Sequence, residues 1–250
     1  MDRVSRVRLK IKRAEKHIDD LEIAIQRFID SKPYKIGAKP HPVVAIEHTT
    51  LFIEEVKPVP NDIALILGDA IHNLRSALDH LAWQLVEAGG GTPSKETYFP
   101  ICETPQQYAS ALGKGEIKRM RTGAEKVLSS VQPHQTSDQT LWLLHQLDIV
   151  DKHRLLLTIG AFMDKWGVDF AVGKTMWLSD HRFVPLVAGN DITNILTSTY
   201  NKHLPEQFAL GLDMAFGEPE VAEGDLVLQT VKKLLAFVNG LVSRFQQFLV

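Results

Sequence analysis

The chain has 250 residues, 44% hydrophobic and 23% charged, a composition that supports a sizeable core and excludes a disordered or collagen-like polymer. A formal net charge of −2 gives no overall attraction for nucleic acid, and Cys102, the sole cysteine, rules out an intramolecular disulfide. With no apolar signal core and no run of about 18 apolar residues, the expectation is a cytoplasmic protein with no membrane partner.

Residues 2–31 read as a helix. Val4, Val7, Leu9, Ile11, Ala14, Ile18, Leu21, Ile25 and Phe28 recur at roughly helical spacing, and Pro33 ends the run. Its first part carries Arg3, Arg6, Arg8, Lys10, Lys12, Arg13 and Lys16 against Asp2 and Glu15, a solvated basic face or a surface that attracts phosphate or an acidic partner. Residues 34–59 predict a β-hairpin, with His48–Val56 rich in strand formers and prolines on either side. Residues 61–87 follow as one amphipathic helix, capped by Asn61 or Asp62 and ended by Gly89–Gly91. Leu67, Ile71, Leu74, Leu78, Leu81 and Leu85 form its stripe. The opposite face holds Asp69, His72, Asn73, Ser76, Asp79, His80 and Trp83, with Arg75 at the border.

A short helix follows Thr104, with Pro105 in its first turn, and another spans about Glu116 to Val131. A long helix is expected from about 137 to 163, capped by Ser137 or Asp138. Strands are expected at Val168–Val172, Thr175–Leu178, Phe183–Val187 and Phe208–Phe216, and a last helix from Asp225 to Val250. The fold class is therefore α+β in one integrated domain over 1–250. A bundle of about four long helices (1–31, 61–165, 224–250) carries the hairpin of 34–59 and a small appended antiparallel sheet in 166–222.

The helix from 137 to 163 is apolar nearly all round, yet its middle reads Asp148, Ile149, Val150, Asp151, Lys152, His153, Arg154. Charges inside a buried helix need partners. Asp148 and Lys152 pair one turn apart; Asp151, His153 and Arg154 require other elements, and the natural source is the face bearing His72, Arg75, Asp79 and His80. Two helices sharing one polar network are expected, serving either as a site or as a buried cluster that fixes helix register.

The segment Arg75-Ser76-Ala77-Leu78-Asp79-His80 resembles the Arg-x4–6-His motif of the HEPN superfamily, all-helical bundles that include metal-independent endoribonucleases. The resemblance implies RNA as partner, a homodimer in which two motifs meet, His80 as acid/base on a ribose 2′-OH or leaving oxygen, and Arg75 as holder of the phosphate. The chemistry suits the side chains: histidine exchanges protons near neutral pH, and arginine keeps its charge and offers a planar fork. On a regular helix the two lie about 140° apart, so one centre requires a second chain or a helix distortion. The run Gly68–Trp83, with Asp151–Arg154, also resembles a group of bacterial and phage proteins to which no activity is attached.

No cofactor and no metal is expected, because His72, Asp79, His80, Asp148, Asp151 and His153 lack the ligand spacing of a metal motif. Cys102 reads as a small buried hydrophobe. Trp83 is expected to pack beneath the hairpin of residues 34–59, with an exposed anchor or the lid of a pocket as the alternatives. The rival functional class is a non-catalytic interaction module. Its polar centre is structural, and it self-associates through the N-terminal helix and the apolar end at Phe245, Phe248, Leu249 and Val250.

Overall fold

The apolar stripe of residues 61–88 organises the molecule. In a computed structural model describing all residues except 45–46, 114–119, 135–138, 155–156, 158, 171–173, 178–183 and 201–202, these residues form one unbroken helix. The elements in order are α1 (Arg3–Asp30), β1 (Tyr34–Pro40), β2 (His48–Val56), α2 (Asn61–Ala88), α3 (Pro105–Gly113), α4 (Ala124–Val131), α5 (Gln139–Arg154), β3 (Ile159–Phe170), β4 (Lys174–Trp177), β5 (Val184–Pro185), β6 (Asp191–Leu196), α6 (Leu204–Gln207), β7 (Phe208–Phe216) and α7 (Val227–Phe245). The protein is α+β, and the described residues form seven helices and two small antiparallel sheets.

Helix α2 packs against α1, α5 and α7, and α7 also meets α1 and α5. Leu67, Ile71, Leu74, Leu78 and Leu81 are fully buried in this contact, as a stripe of fours and threes requires. Pro60 occupies the N-cap position of α2 and supplies no side-chain bond, so the first turn is not capped by Asn61 or Asp62. At the other end Gly90 adopts φ +81, a conformation that favours glycine and lets the chain leave the helix.

The stretch expected as the end of a long helix is different. α5 stops at Arg154, and residues 159–163 are the start of β3, paired with Phe216 back to Leu212 of β7. An apolar run of this kind satisfies a buried strand as well as a buried helix, and cross-strand pairing decides it. The expected caps Ser137 and Asp138 lie outside the described residues, as does the 116–119 part of the expected 116–131 helix; α4 begins only at Ala124. Thr104 does cap α3, its Oγ1 accepting from the Gln107 amide at 3.2 Å.

β3 is the centre of one sheet, with β7 along one edge and β4 and β5 on the other. The hairpin β1–β2 is completed by β6, which pairs antiparallel to β2 and makes a sheet of order β1-β2-β6. The insert therefore shares a strand with the hairpin. The C-terminal apolar residues serve the same core: Phe245 and Leu249 are buried, and Phe245 meets Phe99 edge-on with ring centroids 6.4 Å apart. That part of the apolar surface invoked for self-association is used within the chain.

Gly68 sets how near α5 comes to α2. A Cβ at this position would collide with the carboxylate of Asp151. In the parent, Gly68→Ala is expected to destabilise by about 1–2 kcal/mol, because the overlap outweighs the helix propensity of alanine. In an Asp151→Ala background the same change is expected to stabilise by up to about 1 kcal/mol. Urea unfolding of the four proteins measures the coupling, and additive effects would show that the carboxylate does not limit the approach.

Candidate functional site

Helix α2 carries three polar constellations at three angles around its axis. The first is a clamp. Arg75 is buried, donates from Nη1 to Asp79 Oδ1 at 2.5 Å and from Nη2 to the Phe99 carbonyl at 3.2 Å. The same Asp79 oxygen accepts from the Phe99 amide at 2.9 Å. One i,i+4 ion pair thus satisfies both backbone polar groups of a fully buried phenylalanine and seats the 89–104 loop on α2. Arg75 is committed to this contact.

The second constellation is the seam between α2 and α5. Asp148, with its side chain 3% exposed, receives Lys152 Nζ at 2.5 Å and lies 3.2 Å from His72 Nδ1. His72 Nε2 is 3.4 Å from Ser76 Oγ. Asp151 sits over Gly68 with no hydrogen bond among the described residues. Burial, then the carboxylates of Asp148 and Asp69, push its pKa up. His153 is exposed, and Arg154 reaches the buried Glu218 at 3.1 Å. His145 presents a buried Nδ1 that makes no hydrogen bond to the described residues. Burial, then the Arg75 charge, hold its pKa below 6.5 against the opposing pull of Asp148. Among the described residues no three His, Cys, Asp or Glu side chains converge as metal ligands.

The third is a groove of about 700 Å³ between α1 and α2. His17 of α1 is close enough to Asp69 of α2 to feel its charge, while the earlier residues of α1 face the later residues of α2, so the helices run in opposite directions. Arg6, Lys10 and Arg13, at spacings of four and three, project along one stripe of α1. Asn73, Ser76, His80 and Trp83 line the facing wall, and Asp79 and Glu87 contribute two carboxylates. Asp79 is balanced by Arg75; among the described residues no carboxylate pairs with Arg6, Lys10 or Arg13. His80 is exposed and makes no hydrogen bond to the described residues.

The structure therefore separates Arg75 from His80, as 140° on a regular helix demands. It brings His72, Asp148 and Lys152 together, sets Asp151 beside them, and turns His153 and Arg154 away. Trp83 does not lie beneath the hairpin; it forms part of the groove and donates to Glu87 at 3.0 Å. Cys102 is half-buried, its amide bonded to Pro133. Gln84 and Glu87 belong to the groove without having been singled out by any motif. The signal for them is their place on the Asn73–His80–Trp83 stripe.

Comparison with protein-family models, with curated proteins and with solved structures finds no match to this chain.

Arg75→Ala is expected to cost about 2–4 kcal/mol, since it leaves Asp79 and the Phe99 carbonyl without their cation. His80→Ala is expected to stay within about 0.5 kcal/mol of the parent. Urea midpoints of the two variants decide the assignment. A buried histidine, His17, and a half-buried one, His145, add a pH dependence. Burial, then Arg13, hold His17 below 6.5, and His145 is lowered as described. For both, the unfolded chain binds the proton more readily. Their contribution is full above pH 6.5 and is lost as pH falls below it towards the lowered folded pKa. A His17→Gln/His145→Gln protein should show a flatter stability profile from pH 6.5 down to about 5 than the parent.

Proposed function

We propose that the chain is a cytoplasmic HEPN-like RNA-binding protein, a metal-independent endoribonuclease that works as a homodimer. Its RNA lies in the groove between α1 and α2, with His80 as the proton-transfer group. The proposal rests on one observation: His80 is exposed in a groove whose other wall carries three cations, Arg6, Lys10 and Arg13, that no carboxylate among the described residues neutralises. Such a groove gathers phosphate, and a histidine beside phosphate exchanges protons at neutral pH.

In this reading the ribose 2′ oxygen attacks the adjacent phosphorus and the 5′ oxygen of the next nucleotide leaves, giving a 2′,3′-cyclic phosphate and a free 5′ hydroxyl. One base takes the 2′ proton and one acid protonates the leaving oxygen. A single His80 performs one of these tasks, and the His80 of a second copy supplies the other, which is the reason for the dimer. The α1 cations take the phosphate-holding part that the resemblance gives to Arg75, because Arg75 is occupied by Asp79 and Phe99. Contact of α2 and α7 with each other and with both α1 and α5 is compatible with the bundle that the resemblance implies.

The alternative, a non-catalytic module with a structural polar network, is favoured for the α2–α5 seam. Asp148 there is buried and shared by Lys152 and His72, so its charge is answered inside the protein. We assign Asp148, Lys152 and His72 to architecture and the groove to function.

Incubation of the protein with labelled single-stranded RNA in EDTA tests the proposal. The parent is expected to cut, and His80→Ala to cut about 10²–10⁴-fold more slowly while remaining folded. Equal cleavage by His80→Ala removes His80 from the chemistry. Neither binding nor cleavage by the parent removes RNA from the reading.

A further inference from the structure

We infer that the α1–α2 groove takes unpaired RNA one base at a time, stacking a base on Trp83 and selecting, through Glu87 held by Gln84, a base edge rich in N–H donors, guanine before the others. The inference rests on the RNA-binding reading of the same groove and specifies which RNA it takes.

Trp83 is 37% exposed, and its indole is held by the 3.0 Å bond from Nε1 to Glu87 Oε1, so the ring is a fixed wall of the groove. The other Glu87 oxygen accepts from Gln84 Nε2 at 2.9 Å. Gln84 is only 4% exposed and also lines the groove, and its Oε1 accepts from nothing among the described residues. That oxygen is closed to solvent, so Gln84 acts through the bond by which it holds Glu87, and the Glu87 carboxylate is the acceptor that the groove presents. Each carboxylate oxygen of Glu87 retains a further lone pair. Trp83 and Gln84 therefore spend these donors on Glu87, whose carboxylate offers a ligand acceptors.

That polarity discriminates among bases. The pairing edge of guanine presents N1–H and the N2 amino group side by side, two adjacent donors. Adenine and cytosine each present one amino group next to a ring acceptor. Uracil presents one N–H between two carbonyl oxygens, which a carboxylate repels. The edge is open only in a base that is not paired, and an aromatic face receives only a base that is not stacked within a duplex. Arg6, Lys10 and Arg13 span about 10 Å of α1, a stripe along which a short stretch of backbone lies with its base turned towards α2.

The test is fluorescence anisotropy with short labelled oligouridine that is unsubstituted or carries one central guanosine, adenosine or cytidine, and with the guanosine probe annealed to its complement. It is done in the His80→Ala background so that no probe is cut. The guanosine probe is expected to bind at least about fivefold tighter than oligouridine, and the duplex more weakly than any single strand. Trp83→Ala should weaken all single strands by about 5- to 100-fold. Glu87→Gln should bring the guanosine preference below about twofold while leaving oligouridine nearly unchanged, since an amide gives up half of the acceptor pair. Equal affinity for all four single strands overturns base selection. Duplex binding as tight as single-strand binding, or no effect of Trp83→Ala in a protein of unchanged melting temperature, overturns stacking. In these cases RNA binding itself stands. Failure to bind any RNA overturns the RNA reading and this inference with it. The base preference of the unsubstituted groove is measured without altering Trp83, Gln84 or Glu87, so the test does not depend on how those variants fold.

Discussion

Burial of the apolar stripe of α2 is the constraint from which the rest follows. Leu67, Ile71, Leu74, Leu78 and Leu81 are removed from water by α1, α5 and α7 together. Once those leucines and Ile71 face inward, the 100° step per residue leaves no freedom in where the polar residues between them point. Arg75 falls on the edge of the core, His72 towards α5, and His80 towards α1. Glycine at position 68 then allows α5 to come close enough for Asp148 to reach His72, at the expense of half-burying the Asp151 carboxyl among other carboxylates. The helix that does most to hold the protein together also distributes its reactive side chains.

Burial sorts those side chains into two kinds. Arg75, Asp148 and Glu218 are shut away from solvent and have internal partners, because an unanswered charge there costs several kcal/mol. A buried pair of this sort adds little net stability over an apolar pair and fixes which helix face meets which. Arg6, Lys10 and Arg13 are of the other kind. A cation in water needs no partner, so its lack of one costs the fold nothing; three on one stripe beside an exposed histidine leave a field that the fold itself does not use. The chemically suggestive run Asp148–Arg154 belongs mainly to the first kind, and the plainer basic end of α1 belongs to the second.

The helices α1, α2 and α7 and the strand β7 were legible in the sequence because each has a clean period: threes and fours for the helices, a bounded apolar run for Phe208–Phe216. Residues 159–163 were not, since Ile159, Ala161, Phe162 and Met163 suit a buried helix as well as a buried strand, and only pairing with β7 distinguishes them. Asp191–Leu196 mixes polar and apolar residues and becomes a strand by pairing with β2, more than a hundred residues earlier, which no local pattern records. The site divided in the same way. His80 and the basic residues of α1 were visible as residue types, but their meeting depends on two helices running in opposite directions. The Arg75–His80 spacing looked like a unit along the chain and is split by the helix turn.

Asp79 connects the clamp to the groove. Its Oδ1 takes both Arg75 and the Phe99 amide, and the same side chain lines the groove beside His80. Thr97, two residues before Phe99, lines that groove as well. The position of the 89–104 loop, and with it one wall of the groove, therefore depends on an ion pair buried behind it. Arg75 does not itself line the groove and still shapes it through Asp79 and Phe99, which makes it a positioning residue. Loss of activity on replacing Arg75 is expected whether or not it ever meets a phosphate, so activity alone does not identify its role. Stability does: a side chain that acts by seating Phe99 lowers the unfolding free energy when it is removed, whereas one that acts only on a bound phosphate does not.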